Sequence, residues 1–148
     1  MQTAPVAPSP PGLSPGAQTF RHPLRVYWED TDAGGVVFFA NYLKYFERAR
    51  SEWLRAAGFA QEQLRTELGL LFVVSETSVR YLQPARLDDE LSITVEPEPA
   101  RGATMSLAQR AERGTTRLAD SRITIACVDV ATLRPRRIPQ PVIQALLA

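Results

Sequence analysis

Apolar residues recur at spacings of four, three, four and three along Tyr42, Phe46, Ala49, Trp53 and Ala56. That period gathers them on one face of a helix. Asn41 fits an N-cap just before the stripe, and Gly58 fits the left-handed residue that ends a helix just after it. The spacing therefore predicts a helix over 41–57. Upstream, residues 20–28 alternate, with Leu24, Val26 and Trp28 on one face and Arg25 and Tyr27 on the other, which predicts a strand. A short second helix is expected at 61–68. Beyond it, 71–82, 91–96, 104–111 and 117–130 carry alternation or apolar runs, punctuated by Pro84-Ala85, Pro97 to Gly102 and Arg113-Gly114. Leu91, Ile93 and Val95 repeat every second residue, as do Ile123, Ile125 and Cys127. One strand, one long helix and then about four strands is not the repeating strand–helix order of a doubly wound sheet. The order predicts an α+β domain, a long apolar helix wrapped by an antiparallel sheet.

Composition narrows this picture. The chain has 148 residues, a net charge of +1, 45% hydrophobic residues, one Cys and one His. Cys127 has no partner for an internal disulfide, and one Cys with one His cannot complete a zinc site. A near-neutral chain has no overall pull toward nucleic acid. No run of 18 apolar residues is present, nor a basic segment followed by an apolar one at the N-terminus, so a cytoplasmic protein without a membrane span is expected. Residues 1–16 hold five of the twelve prolines and no charge. They are expected to form a flexible leader ahead of a single domain at 17–148. Within that leader Gly12, Leu13, Ser14, Pro15 and Gly16 spell G-x-S-x-G, but the prolines forbid the strand–turn–helix that makes such a serine reactive. No phosphate-binding glycine loop occurs.

Few side chains offer chemistry. His22 has no identifiable partner, and Cys127 sits in an apolar run where a thiol behaves as a small hydrophobe. The loop before the long helix differs. Glu29, Asp30 and Asp32 crowd four positions and are followed by Gly34-Gly35 and the apolar Val36, Val37, Phe38 and Phe39. This is either a solvated acidic turn or half of a catalytic site. Paired glycines permit close approach of another group, and a helix start presents unpaired amides with partial positive charge. Those amides suit a developing oxyanion while the acid attacks, or activates water, beside an ester or thioester carbonyl.

The stretch from Pro23 through Trp28-Glu29-Asp30-Thr31-Asp32-Ala33-Gly34-Gly35-Val36-Val37, with Ala40-Asn41-Tyr42 and Phe46-Glu47-Arg48-Ala49-Arg50, resembles the hotdog-fold acyl-CoA thioesterases of the YbgC type, relatives of 4-hydroxybenzoyl-CoA thioesterase. The likeness continues through Phe72-Val73-Val74, Pro84-Ala85-Arg86-Leu87-Asp88-Asp89, Arg101-Gly102, Cys127-Val128-Asp129 and Pro135 to Pro139. It implies a hotdog domain that pairs into dimers through a continuous sheet, often as a dimer of dimers (a homotetramer), with thioester sites at the subunit interface and no cofactor or metal. It makes Asp32 the catalytic acid and the main-chain amide of Phe39 the group that polarises the thioester carbonyl. Where members of this type commonly carry His, this chain has Phe39. An amide survives that change and an imidazole does not. A charged aspartate is a feeble base, which leaves two routes open: attack to an acyl-enzyme anhydride, or orientation of water.

Glu47 is a second carboxylate to weigh. It reads as an ion-pair partner of Arg50 three residues on, or, by analogy with a hotdog subgroup using a helix-borne acid, as the working carboxylate. Coenzyme A phosphates call for arginines, and Arg101, Arg134, Arg136 and Arg137 are the candidates, or else solvated surface. Val37, Phe38, Tyr42 and Val74 are expected to line an acyl pocket or to belong to the core. The resemblance also leaves a rival, a non-catalytic module that binds acyl-CoA or acyl carrier protein. A hotdog dehydratase needs a catalytic His paired with an acid, and His22 precedes the whole loop.

Overall fold

The computed structural model describes residues 19–148, so the Pro-rich leader lies outside the described residues. Strand β1 (Phe20–Arg25) is followed by a single 3-10 turn (Trp28–Asp30) and helix α1 (Asn41–Ala56). Next come a one-turn helix α2 (Gln61–Gln63), which runs into a π turn at Leu64–Leu68, and strand β2 (Leu70–Tyr81). Strands β3 (Glu90–Pro97), β4 (Thr104–Arg113) and β5 (Thr116–Asp129) and helix α3 (Gln140–Leu147) complete the chain. All pairings are antiparallel in one five-stranded sheet of order β1-β3-β4-β5-β2. The α+β arrangement expected from the pattern of positions is the one that forms.

The sheet wraps α1 because alternate strand residues are apolar. Leu91, Ile93 and Val95 of β3, Met105 and Leu107 of β4, and Ile123, Ile125 and Cys127 of β5 join Tyr45, Phe46, Ala49 and Trp53 of α1 in one core. Phe46 is completely buried, and truncating such a ring costs roughly 3–5 kcal/mol. Polar side chains also sit within this layer, Gln109 among them. Gln109 donates to the carbonyls of Phe46 (3.0 Å) and Thr94 (3.3 Å) and accepts from Arg50 Nη1 (2.9 Å), so its buried amide is paired at both ends and ties α1 to the sheet.

Four expectations change. The first strand ends at Arg25, and Trp28, expected on its apolar face, is 82% exposed. Past Arg25 the Val26 N–H and C=O turn to the Asp89 carbonyl (2.9 Å) and the Asp88 N–H (3.0 Å). The Asp30 carboxylate then takes the Tyr27 N–H (2.8 Å), closing a 3-10 turn that breaks the alternation. Ala40, not Asn41, is the N-cap of α1, because the Asn41 amide is committed to the Asp30 carbonyl (2.8 Å). The helix face it buries is wider than the stripe predicts: Tyr45 and Leu54 are buried and Ala56 is exposed. The expected helix at 61–68 is split, since its second half coils as a π turn ending at the left-handed Gly69. Gly58 does take a positive φ, +98°, where α1 ends.

The two edges of the sheet differ in kind. Strand β2 is an edge strand of 12 residues with little burial along its length, and Val73 and Val74 stand exposed at its middle. The opposite edge, β1, is short and interrupted by Pro23, which blunts it against pairing.

Candidate active site

The acidic loop folds as a small hairpin. Thr31 bridges Val37, the Asp32 N–H bonds the Val36 carbonyl (2.9 Å), and the Gly35 N–H returns to the Asp32 carbonyl (3.0 Å). Gly35 has φ +78°, which a side chain would oppose. A Cβ on Gly34 would stand 3.2 Å from Asp32 Oδ1. Glycine there lets the carboxylate close on the Gly34 N–H at 2.8 Å, with the Val36 N–H at 3.5 Å. Asp32 is thus oriented through Oδ1 alone. Its Oδ2 has no hydrogen-bond partner among the described residues, and the side chain is exposed. Asp30 does the opposite work: buried, it holds the loop through the Tyr27 N–H, while its carbonyl takes the Phe38 N–H (3.0 Å) and the Asn41 amide.

The hairpin's second arm runs into a β-turn. The Asn41 N–H bonds the Phe38 carbonyl (2.9 Å), which makes Phe39 and Ala40 the central pair. Among the described residues nothing accepts from the Phe39 N–H, which stands one residue ahead of the N-cap Ala40. The Phe39 carbonyl accepts the Tyr81 hydroxyl at 2.9 Å. Around this turn the rings of Phe38 and Phe39 (4.8 Å), Phe39 and Tyr81 (6.2 Å) and Tyr42 and Tyr81 (5.4 Å) pack at tilted or edge-on angles. Beside them opens a cleft of about 270 Å³, lined by Val37, Phe39, Tyr42, Tyr81, Leu82, Gln83 and Pro84. Burial pushes the phenols of Tyr42 and Tyr81 above their ordinary value, so both keep their protons at neutral pH. The Tyr42 oxygen accepts the Ala85 N–H (3.3 Å). In the loop that floors the cleft, partial burial alone would raise Asp89, but the Arg86 N–H (2.9 Å) and Arg113 (2.8 Å) hold its carboxyl below the usual range.

Of the residues singled out in the sequence, Val37 and Tyr42 meet Phe39 at this cleft, with Asp32 on the same hairpin. Phe38 stacks on Phe39 outside the cleft lining, and Val74 lies midway along β2. Glu47 is exposed and accepts from Ser51 (2.8 Å), four residues on. The expected pair with Arg50 does not form, because Arg50 turns inward to Gln109, where burial lowers its guanidinium's pKa. Tyr81 and Leu82 join the site without a signal in the sequence: the strand pattern identifies β2 but not which of its ends meets α1.

The four arginines gather at the other end of the sheet. The Arg101 turn and the 134–138 segment lie side by side through Ile138 N–H to Gly102 (3.1 Å) and Arg136 N–H to Cys127 (2.9 Å). Arg136 Nη1 is engaged by the Leu68 (2.7 Å) and Gly69 (3.2 Å) carbonyls. Among the described residues Arg101, Arg134 and Arg137 pair with no carboxylate. A cleft of about 600 Å³ opens here, away from Asp32, bordered by Arg101, Thr104, Ser106 and the Arg122–Glu98 pair.

Comparison with known proteins supplies a context for this geometry. A model of the thioesterase-like superfamily matches residues 26–146. The chain is 45% identical over 123 residues to the acyl-CoA thioesterase YbgC of Haemophilus influenzae, covering 83% of this chain and 90% of that protein. It is 43% identical over 125 residues to the acyl-CoA thioester hydrolase YbgC of an Escherichia coli strain, covering 84% and 92%. Among solved structures, a probable thioesterase from Bartonella henselae superposes with a TM-score of 0.79 at 34% identity, covering 82% of this chain and all of that one.

Proposed function

The chain belongs to the thioesterase-like superfamily and is an acyl-CoA thioester hydrolase; we propose that it works through the free oxygen of Asp32 and the open N–H of Phe39. The observation that carries this reading is their closeness along one loop: on the hairpin a carboxylate held by one oxygen only, and in the turn that follows an amide with no acceptor among the described residues, beside an apolar cleft. The acyl chain lies against Val37, Tyr42 and Leu82, with its carbonyl oxygen on the Phe39 N–H. Asp32 Oδ2 then either bonds the acyl carbon, expelling the coenzyme A thiolate and leaving an anhydride that water opens, or aligns a water for the same attack. Either way one water is consumed and a carboxylic acid and a thiol are released. Charge gathers on the carbonyl oxygen in the transition state, where an oriented amide in a partly dry site stabilises it.

The same reading makes the working unit a dimer. A long edge strand with exposed valines is a template for strand addition, and a second copy is the natural occupant. Two-fold pairing of β2 is antiparallel. Its two ends, Leu70 and Tyr81, are about 36 Å apart at ~3.3 Å per residue. Pairing centred on the strand therefore carries one copy's Arg101 and Arg134–Arg137 end to the other copy's Tyr81 end, where the phosphates of coenzyme A need cations.

Two measurements test this. Across a panel of short, long and aromatic acyl-CoA substrates, with acyl carrier protein thioesters alongside, thiol release is expected to rise steadily with enzyme for at least one acyl class. No release above background for any of them would end the proposal. The double variant Val73→Lys, Val74→Lys is expected to sediment as a monomer and to lose at least about tenfold in kcat/KM. A monomer with parental kcat/KM would rule out the shared site, whereas sedimentation of the parent protein reports whether dimers pair further into tetramers.

A further inference from the structure

The Phe39 N–H is presented by a turn whose central peptide, the Phe39 carbonyl with the Ala40 N–H, is the unit that flips when a β-turn changes type. Asn41 closes the turn from one side and Asp30 anchors its upstream arm. Neither touches that central peptide. Among the described residues only the Tyr81 hydroxyl does, at 2.9 Å, reaching from the last residue of β2 across to the start of α1. The ring that carries the hydroxyl is held edge-on by both Phe39 and Tyr42, so the donor arrives already oriented. Its bond also polarises the peptide it joins, which makes the Ala40 N–H a stronger donor beside that of Phe39.

We propose that Tyr81 is a positioning residue for thioester hydrolysis, its hydroxyl locking the turn at Phe39–Ala40 so that the backbone donors stay aimed at the developing oxyanion. This rests on the function proposed above. Tyr81 touches no reacting atom in this scheme and acts through the peptide alone. Since that peptide matters most when charge has built up on the substrate oxygen, its loss belongs in kcat and not in KM.

The test is Tyr81→Phe, which keeps the ring and its contacts and deletes one hydroxyl. Removing a single neutral hydrogen bond predicts a fall in kcat of roughly 3- to 10-fold, with KM within about twofold. A second readout does not depend on turnover. The carbonyl stretch of a ¹³C-labelled ketone analogue of acyl-CoA, with CH₂ in place of sulfur, should shift to lower frequency on binding the parent protein. In Tyr81→Phe that shift should shrink toward the value in water at unchanged affinity. Parental kcat together with a parental shift would overturn the assignment, as would equal losses in kcat and affinity with a drop in melting temperature, the signature of mere structural support. Failure of the underlying reading looks different: the parent protein itself releases no thiol, and the frequency shift still reports on Tyr81.

Discussion

Asp32→Asn is expected to lower kcat by about 10² or more while KM and melting temperature stay near the parent values. The cause lies in how the side chain is held. Its Oδ1 accepts the Gly34 N–H, and an asparagine carbonyl accepts the same bond in the same turn, so the hairpin loses nothing it depends on. What changes is Oδ2, which becomes an amide nitrogen, neither a nucleophile nor a base. Loss of the reacting oxygen with the scaffold intact places the effect in the chemical step. Steady-state kinetics with one good acyl-CoA, alongside a thermal melt, check both halves of the claim. Glu47→Gln is the companion measurement. Glu47 is exposed and bonded to Ser51 on its own helix, away from the hairpin, so its substitution should leave kcat within about threefold. The reverse result, full turnover in Asp32→Asn and loss in Glu47→Gln, would move the chemistry to the helix-borne acid.

Much of the fold is legible in the order of residues because burial imposes a period. The stripe from Tyr42 to Trp53 finds α1, and Leu91, Ile93 and Val95 find the inner face of β3. Legibility fails where hydrogen bonds, not burial, decide the backbone. Asp30 captures the Tyr27 N–H and turns Trp28 outward, and nothing in the alternation of 20–28 announces that capture. Helix α3 is hidden for another reason. Pro139 and Pro141 read as breakers, yet a proline in the first turn of a helix costs no bond, and Val142 and Leu146, four apart, are buried behind it. The site divides the same way. Asp32 and the helix entrance stand close in the chain and could be paired by eye. Tyr81 reaches Phe39 from 42 residues away, a contact made by sheet order alone.

Phe39→Pro set beside Phe39→Ala isolates the amide, and the expected gap in kcat between them is on the order of 10²–10³, the usual cost of losing one oxyanion donor. Proline is tolerable at this position on backbone grounds. Phe39 is the second residue of a turn closed from Phe38 to Asn41, the place where proline's fixed φ is favoured, and its N–H makes no bond that proline would break. The following Ala40 already has the helical φ and ψ of −69° and −21°. Alanine removes the aromatic ring, with its contacts to Phe38 and Tyr81, but keeps the N–H. It should therefore raise KM for acyl groups that lie on that ring and leave kcat within about threefold. Proline removes both, so the difference between the two variants belongs to the hydrogen. Equal kcat in the pair would mean that the carbonyl is polarised elsewhere, and attention would pass to the neighbouring Ala40 N–H. A large gap would also explain how Phe can stand where the family resemblance leads one to expect His: the backbone donor, which every residue but proline supplies, does the stabilising, and the side chain shapes only what binds beside it.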